Sequence, residues 1–254
     1  RYVTFALYLP AALIPLVPAL KPWLLFRRCA DTDGQAAASR TAPIAATIGA
    51  TTLVLLSLAA LEPALLTSKD TRQSRRQVRA AALLSTVLPG HPFIANSVFP
   101  DAAMVQRIAA GLDDIGYLRP RLIRSSAASA LAATNPPPAE NCGQLERAWE
   151  IAPGEIAFAG WTALPSPDRQ ADLVLLCVAD AQGAPQIVEI APVGSPRPDK
   201  TAALGDAAAT CGWAQRAPIG TFLGRQTPAT VTAWAFDAEH RELFPLAGTV
   251  TLGR

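Results

Sequence analysis

Residues 2–26 read YVTFALYLPAALIPLVPALKPWLLF, and residues 43–66 read PIAATIGATTLVLLSLAALEPALL. Each run is long enough to cross a hydrocarbon core of about 30 Å. Pro10, Pro15, Pro18 and Pro22 interrupt the first run, which neighbouring helices tolerate in lipid by re-satisfying the freed carbonyls. Tyr2 and Trp23 stand near its ends as an aromatic belt would place them, and Lys21 can snorkel. In the second run Ala45 and Gly49 form a small-xxx-small pair that lets a helix approach closely, and Glu62 falls at the interfacial end, before Pro63. These features predict a transmembrane α-helical hairpin over residues 1–66, solvated by membrane lipids and packed against other transmembrane helices or subunits.

Working outward, the chain has 254 residues, of which 50% are hydrophobic, with a mean hydropathy of +0.24. The apolar excess sits in the first quarter. A net charge of +2 gives no electrostatic footprint for nucleic acid. Arginines and lysines gather beside the apolar runs instead, at Lys21, Arg27, Arg28 and Arg40 and again at Lys69, Arg72, Arg75, Arg76 and Arg79. The second group is larger by one charge, so the positive-inside count slightly favours a cytoplasmic position for the segment after the second run. The opening at Arg1 carries no charged n-region followed by a small-residue cleavage site, so a signal peptide is not expected, and a piece of a longer polytopic protein fits better.

Residues 67–134 read as a helical connector. Ser68–Leu88 is helical in pattern and stops at Pro89-Gly90. Pro100–Ile115 carries Met104, Val105, Ile108 and Leu112 on one stripe, which reads as core packing. Asp113 and Asp114 are adjacent, and helical neighbours point apart, so paired acid/base chemistry is not expected of them. A third short helix is expected over Arg121–Ala133. Asn135-Pro136-Pro137-Pro138 marks a linker at residues 135–140.

Beyond the linker the period changes to two. Ile156–Trp161 reads IAFAGW and Val231–Phe236 reads VTAWAF, apolar positions alternating with small or polar ones. Strands are expected near Gln144–Ile151, Glu155–Leu164, Asp172–Ala179, Gln186–Ala191, Trp213–Ala217, Thr230–Asp237 and Leu243–Leu252, with a helical turn near Asp199–Asp206. Short antiparallel strands at this spacing make a sandwich or a barrel, and the expected architecture for residues 141–254 is a C-terminal antiparallel β-sandwich.

Cys142-Gly143, Gly160-Trp161, the Leu173–Cys177 strand, the Val178–Gln186 turn, Arg197-Pro198-Asp199 and Gly212-Trp213 follow one another in an order that resembles a C-terminal β-rich module of uncharacterised bacterial polytopic membrane proteins. Those proteins look like lipid-linked-sugar glycosyltransferases. The opening Arg1–Phe5, the two runs and the Ala80–Leu118 connector resemble their final membrane section. The family pattern often carries a further Cys in the last strand, which Thr249–Leu252 lacks. The resemblance implies a bacterial inner-membrane location with the C-terminal domain periplasmic, and sugar-related biology. It identifies no catalytic residue in this chain.

Read from the residues, Gly160-Trp161 and Gly212-Trp213 each set a bulky ring beside a residue that permits close backbone approach, which suits a packed core. The competing reading is a sugar-stacking platform built from Trp161, Trp213 or Trp234, with Arg197 and Asp199 contacting carbohydrate. Arg197-Pro198-Asp199 is otherwise a rigid loop with an internal ion pair. Cys142 and Cys211 both precede Gly in turn-like settings and are expected to form a disulfide, which places the domain in an oxidising compartment. Cys177, in an apolar strand, is expected to be a buried thiol. With only His91 and His240, and no CxxC, no metal site is expected. His240 lies in a charged turn and reads as solvated. No nucleophile elbow, zinc helix, phosphate loop or dinucleotide fingerprint occurs, so neither cofactor nor catalytic residue is expected. The function expected is that of a non-catalytic accessory recognition or scaffolding module of a glycosyltransferase-like system, or of a structural subunit in a larger multi-protein membrane complex.

Overall fold

A computed structural model of the chain describes residues 71–98, 100–165, 169–224 and 227–253, with the side chains of 206 and 207 excepted. The chain divides into two compact units at residue 72, and the second, residues 73–254, carries the β strands and the helices packed on them. Its strands are β1 (Gly143–Ala152), β2 (Glu155–Thr162), β3 (Leu173–Ala179), β4 (Pro185–Ser195), β5 (Gly212–Pro218), β6 (Ala229–Asp237) and β7 (Glu242–Leu252). They close into a barrel in the order β1-β2-β5-β4-β3-β6-β7. Neighbours are antiparallel except at the seam, where Gln144 of β1 meets Ala247 of β7 in parallel.

The closed barrel replaces the expected β-sandwich, and two glycine bends explain the difference. β4 pairs with β3 up to Pro192, then turns at Gly194 (φ +156°) and meets β5 through Val193 and Ser195. β7 pairs with β6 on either side of residues 246–248, where it bulges around Gly248 (φ +86°) to reach β1. A Cβ on Gly248 would stand 2.5 Å from the Leu145 carbonyl oxygen, so only glycine permits this approach. Two long strands thus serve two sheets each, and the open edges of a sandwich disappear.

The expected hairpin of two membrane-spanning helices is not found among the described residues. Among the described residues no helix is long and apolar enough to cross a membrane, and the runs 2–26 and 43–66 lie outside them.

The barrel interior is filled by side chains, as a barrel this narrow requires. Phe158, Trp213, Val174, Leu176 and Val231 meet there, and Phe222 closes on Phe158 with ring centroids 4.9 Å apart. β3, reading LVLLCVA, is buried on both faces. Val174, Leu176 and Val178 point inward; Leu173, Leu175 and Cys177 join a second core on the outside. That outer core is a helical layer: α1 (helical through residues 73–83), α2 (Pro92–Ser97) and α3 (Ala102–Asp114). Leu84, Ile94, Val105 and Ala109 lie against β3, β4 and β6 there. The connector expected over 67–134 and the β domain expected over 141–254 therefore share one apolar core.

Asp101 caps α3, its Oδ1 accepting the Met104 N–H at 3.0 Å. His91 caps α2 through Nδ1, which accepts the Phe93 N–H. Nε2 therefore carries the ring proton and donates it to the Glu189 carboxylate, to which Gln215 also donates at 3.0 Å. This polar pin fastens the helical layer to the barrel. The helix expected over Arg121–Ala133 does not form. Apart from a 3₁₀ turn at Ala128–Ala130, the segment runs extended, with bridges from Ala127 to Gln186 and from Ala132 to Leu243. Strand edges there offer backbone partners that outweigh an alanine-rich helix propensity. After α4 (Ala139–Cys142), α5 (Pro198–Leu204) occupies the stretch where a helical turn was expected, and α6 (Gly220–Leu223) delivers Phe222.

Candidate functional site

The sequence-derived site residues separate into two environments. Trp213 is 1% exposed and points into the barrel, where its ring lies over Gly160 of the paired strand. Trp161 faces the other way, packs with Ala208 and Cys211, and is roofed by Lys200, whose Nζ stands 4.6 Å from the ring centroid. Trp234 is half-buried and donates Nε1–H to Thr232 Oγ1 at 3.2 Å. Neither Trp161 nor Trp213 offers an open face on which a sugar could stack.

Arg197 and Asp199 stand beside Trp161, at the end where β2 and β5 meet α5. Arg197 donates from Nε and one terminal nitrogen to Asp199, at 2.8 and 2.7 Å, and from both terminal nitrogens to Glu146, at 2.9 Å each. Four of the five N–H donors of the fork are thereby occupied. Hydrogen bonds from Arg197 hold the Asp199 carboxyl down at about 2. The internal ion pair is as the sequence suggests; Glu146, the second acceptor, comes from β1 and gave no local signal.

The expected disulfide is absent: Cys142, Cys177 and Cys211 are all free and buried. Cys142 O accepts from the Ala163 N–H and Cys211 O from the Thr162 N–H, from opposite sides of β2. Two strand spacings separate them, about 10 Å, beyond the roughly 7 Å that a disulfide spans between Cα atoms. Burial pushes each thiol up, most strongly at Cys177.

At the β6–β7 turn Asp237 gathers Arg169 (3.0 Å), the N–H groups of Glu239 and His240, and His240 Nδ1 (2.8 Å). The Asp237 hydrogen bond raises the His240 pKa above 6.5. The histidine is exposed as expected, yet it is tied to a carboxylate that organises the turn. Among the described residues no three His, Cys, Asp or Glu side chains form a metal-holding group.

The helical layer holds a feature that helical spacing did not disclose. α3 does not bury its whole apolar stripe. Val105 and Ala109 are inside, while Met104 is 38% and Ile108 49% exposed. Together with Leu83, Leu112 and Leu118 they line a groove of about 340 Å³. Ile115 and Tyr117 extend the apolar surface past the end of α3, each about three-quarters exposed. Arg79 and Arg119 stand at the rim, where an Arg79 terminal nitrogen donates to the Arg119 carbonyl at 2.9 Å. Neither has a carboxylate partner among the described residues. Helical spacing alone put Met104 and Ile108 on the buried side; that the strip is wider than the surface it covers is visible only in three dimensions.

Comparison with protein-family models, with curated proteins and with solved structures finds no match to this chain.

Proposed function

We propose that this chain is a recognition module with no catalysis of its own, which holds one helix of a partner polypeptide in the groove between α1 and α3. The carrying observation is that groove. Its apolar lining includes Leu83, Met104, Ile108, Leu112 and Leu118, with Met104 and Ile108 partly exposed, and its charged lining is Arg79 and Arg119. A helix with an apolar face and acidic flanks matches it in shape and charge. The barrel interior, filled by its own side chains, leaves no lumen for a ligand and acts as the platform. The resemblance to the terminal module of lipid-linked-sugar glycosyltransferase-like proteins supports an accessory role in the bacterial envelope. With the cysteines free, that resemblance alone supports a periplasmic position.

The test uses a labelled helical peptide of about 18 residues, leucine on one face and glutamate on its flanks, titrated with the full chain by fluorescence anisotropy. Saturable binding in the range of about 1–100 μM is expected, weakened at least about tenfold by Ile108→Asp with an unchanged melting temperature. Equal binding by folded Ile108→Asp protein, no saturation, or preference for anionic vesicles over the peptide would defeat the proposal.

A further inference from the structure

A second hollow, of about 640 Å³, lies beyond the C-terminal end of α3 and shares Leu122 with the groove. Its charged lining is Arg121, Arg124, Arg241, Asp113 and Asp114. Arg124 bridges the two carboxylates, at 2.9 Å to Asp113 and 3.0 Å to Asp114, and Asp113 also accepts the Leu122 N–H at 3.1 Å. Burial pushes Asp113 up, but these hydrogen bonds and the nearby Arg121 outweigh it and keep the group an anion. Three guanidinia face two carboxylates, so one positive charge is left over.

Arg241 is where that charge is least answered. It has no carboxylate partner among the described residues. One terminal nitrogen donates to the Leu122 carbonyl at 3.3 Å, and Nε is enclosed with no acceptor. An enclosed, unmatched donor is costly. Its backbone is also unusual: φ is +59°, a left-handed conformation that favours Gly or Asn, and Arg241 is the one non-glycine with positive φ among the described residues. A turn needing only that conformation would be better served by glycine. An arginine there is accounted for by what its side chain reaches.

We propose that this hollow binds a small monoanionic carboxylic acid bearing hydroxyl groups, with Arg241 as the carboxylate anchor. A side-chain rotation that brings the enclosed Nε out to the hollow presents Nε and a terminal nitrogen as a fork to two carboxylate oxygens. The single excess charge matches a monoanion, whereas a phosphate dianion would meet Asp113 and Asp114 across the hollow. Asp114, which is exposed, and Ser125 accept hydrogen bonds from the ligand's hydroxyls. A sugar acid has this chemistry. Apart from the shared Leu122, the site differs from the helix-binding groove in its residues and in its ligand class, so either assignment can fail without the other.

Calorimetric titration of the full chain at low ionic strength with glucuronate, glucose and glucose 1-phosphate tests it. Glucuronate is expected to bind saturably at concentrations below about 10 mM, more weakly as salt is added, and glucose not at all. Arg241→Asn, which suits the left-handed backbone, is expected to fold with the parent's melting temperature and to lose about tenfold or more in affinity. Arg121→Ala costs less, because that guanidinium is exposed and screened. Absence of glucuronate binding to folded protein, equal affinity in Arg241→Asn, equal binding of glucose, or tighter binding of the phosphate would each overturn the assignment.

Discussion

Adding one methyl group at Gly160 tests whether glycine–tryptophan complementarity sets the barrel core. A Cβ at this position would stand 2.0 Å from the Gln144 carbonyl oxygen, 3.0 Å from its carbon and 2.9 Å from Trp213 Cζ2. Ordinary carbon contacts lie near 3.5 Å. The oxygen belongs to the backbone of β1, so no side-chain rotation relieves the clash, and β1 must withdraw from β2 by about 1.5 Å to restore that spacing. This strains the pairs Gln144–Trp161 and Leu145–Gly160, each ladder hydrogen bond contributing about 1 kcal/mol. Displacing the Trp213 ring within a filled interior adds about 1–3 kcal/mol. Gly160→Ala is therefore expected to cost about 3 kcal/mol, a large part of a typical domain's stability. Gly111 supplies the opposite sign. It sits inside α3, and a Cβ there meets nothing within 4 Å, so Gly111→Ala is expected to stabilise by about 0.5–1 kcal/mol. Urea unfolding of the full-length variants, followed by tryptophan fluorescence and far-ultraviolet circular dichroism, measures both. In a Trp213→Phe background Gly160→Ala should recover only the ring contribution, because the collision with Gln144 is with backbone. A Gly160→Ala midpoint within experimental error of the parent's would refute this account of the core.

Arg197→Ala should lower stability by about 1–2 kcal/mol, read from the urea midpoint, because one guanidinium joins β1 to α5 through Glu146 and Asp199. The Asp199 carboxyl is held at about 2 in the fold against an ordinary 3.8, so its contribution is complete above the ordinary value and is lost as pH falls toward 2. Melting temperature plotted against pH should accordingly fall less steeply over that window in Asp199→Asn, and an unchanged acid limb would count against the ion pair. The three buried thiols, Cys142, Cys177 and Cys211, should resist a thiol reagent in the native protein and react on unfolding without any reductant; mass spectrometry showing Cys142 joined to Cys211 would contradict the strand arrangement.

Legibility in the sequence depends on which physics is local. The alternation in IAFAGW and VTAWAF reports strand faces directly, and β2 and β6 lie where it places them. The continuous run LVLLCVA marks a strand buried on two sides, since either face of β3 is covered. The caps at Asp101 and His91 are bonds just as local, within three residues of themselves, yet neither cap was expected. The Arg197–Asp199 pair is two residues apart and was readable because it is local. Glu146, fifty-one residues away, was not. Met104 and Ile108 share a helical face with buried neighbours, so their exposure depends on what the rest of the chain leaves uncovered.

By itself, then, the sequence determined the strands and their turns, because short-range sterics and a period of two or 3.6 residues act along the chain; that Trp213 packs over Gly160 of the paired strand, not over its own neighbour Gly212, was decided by strand pairing. Tertiary structure alone decided that these strands close into a barrel. Closure depends on β4 bending at Gly194 toward β5 and β7 bulging at Gly248 toward β1, and no local pattern states which distant edge a strand will find. The same holds for the cysteines: their turn-like settings are local, but β2 stands between them, and a disulfide is ruled by distance across the fold.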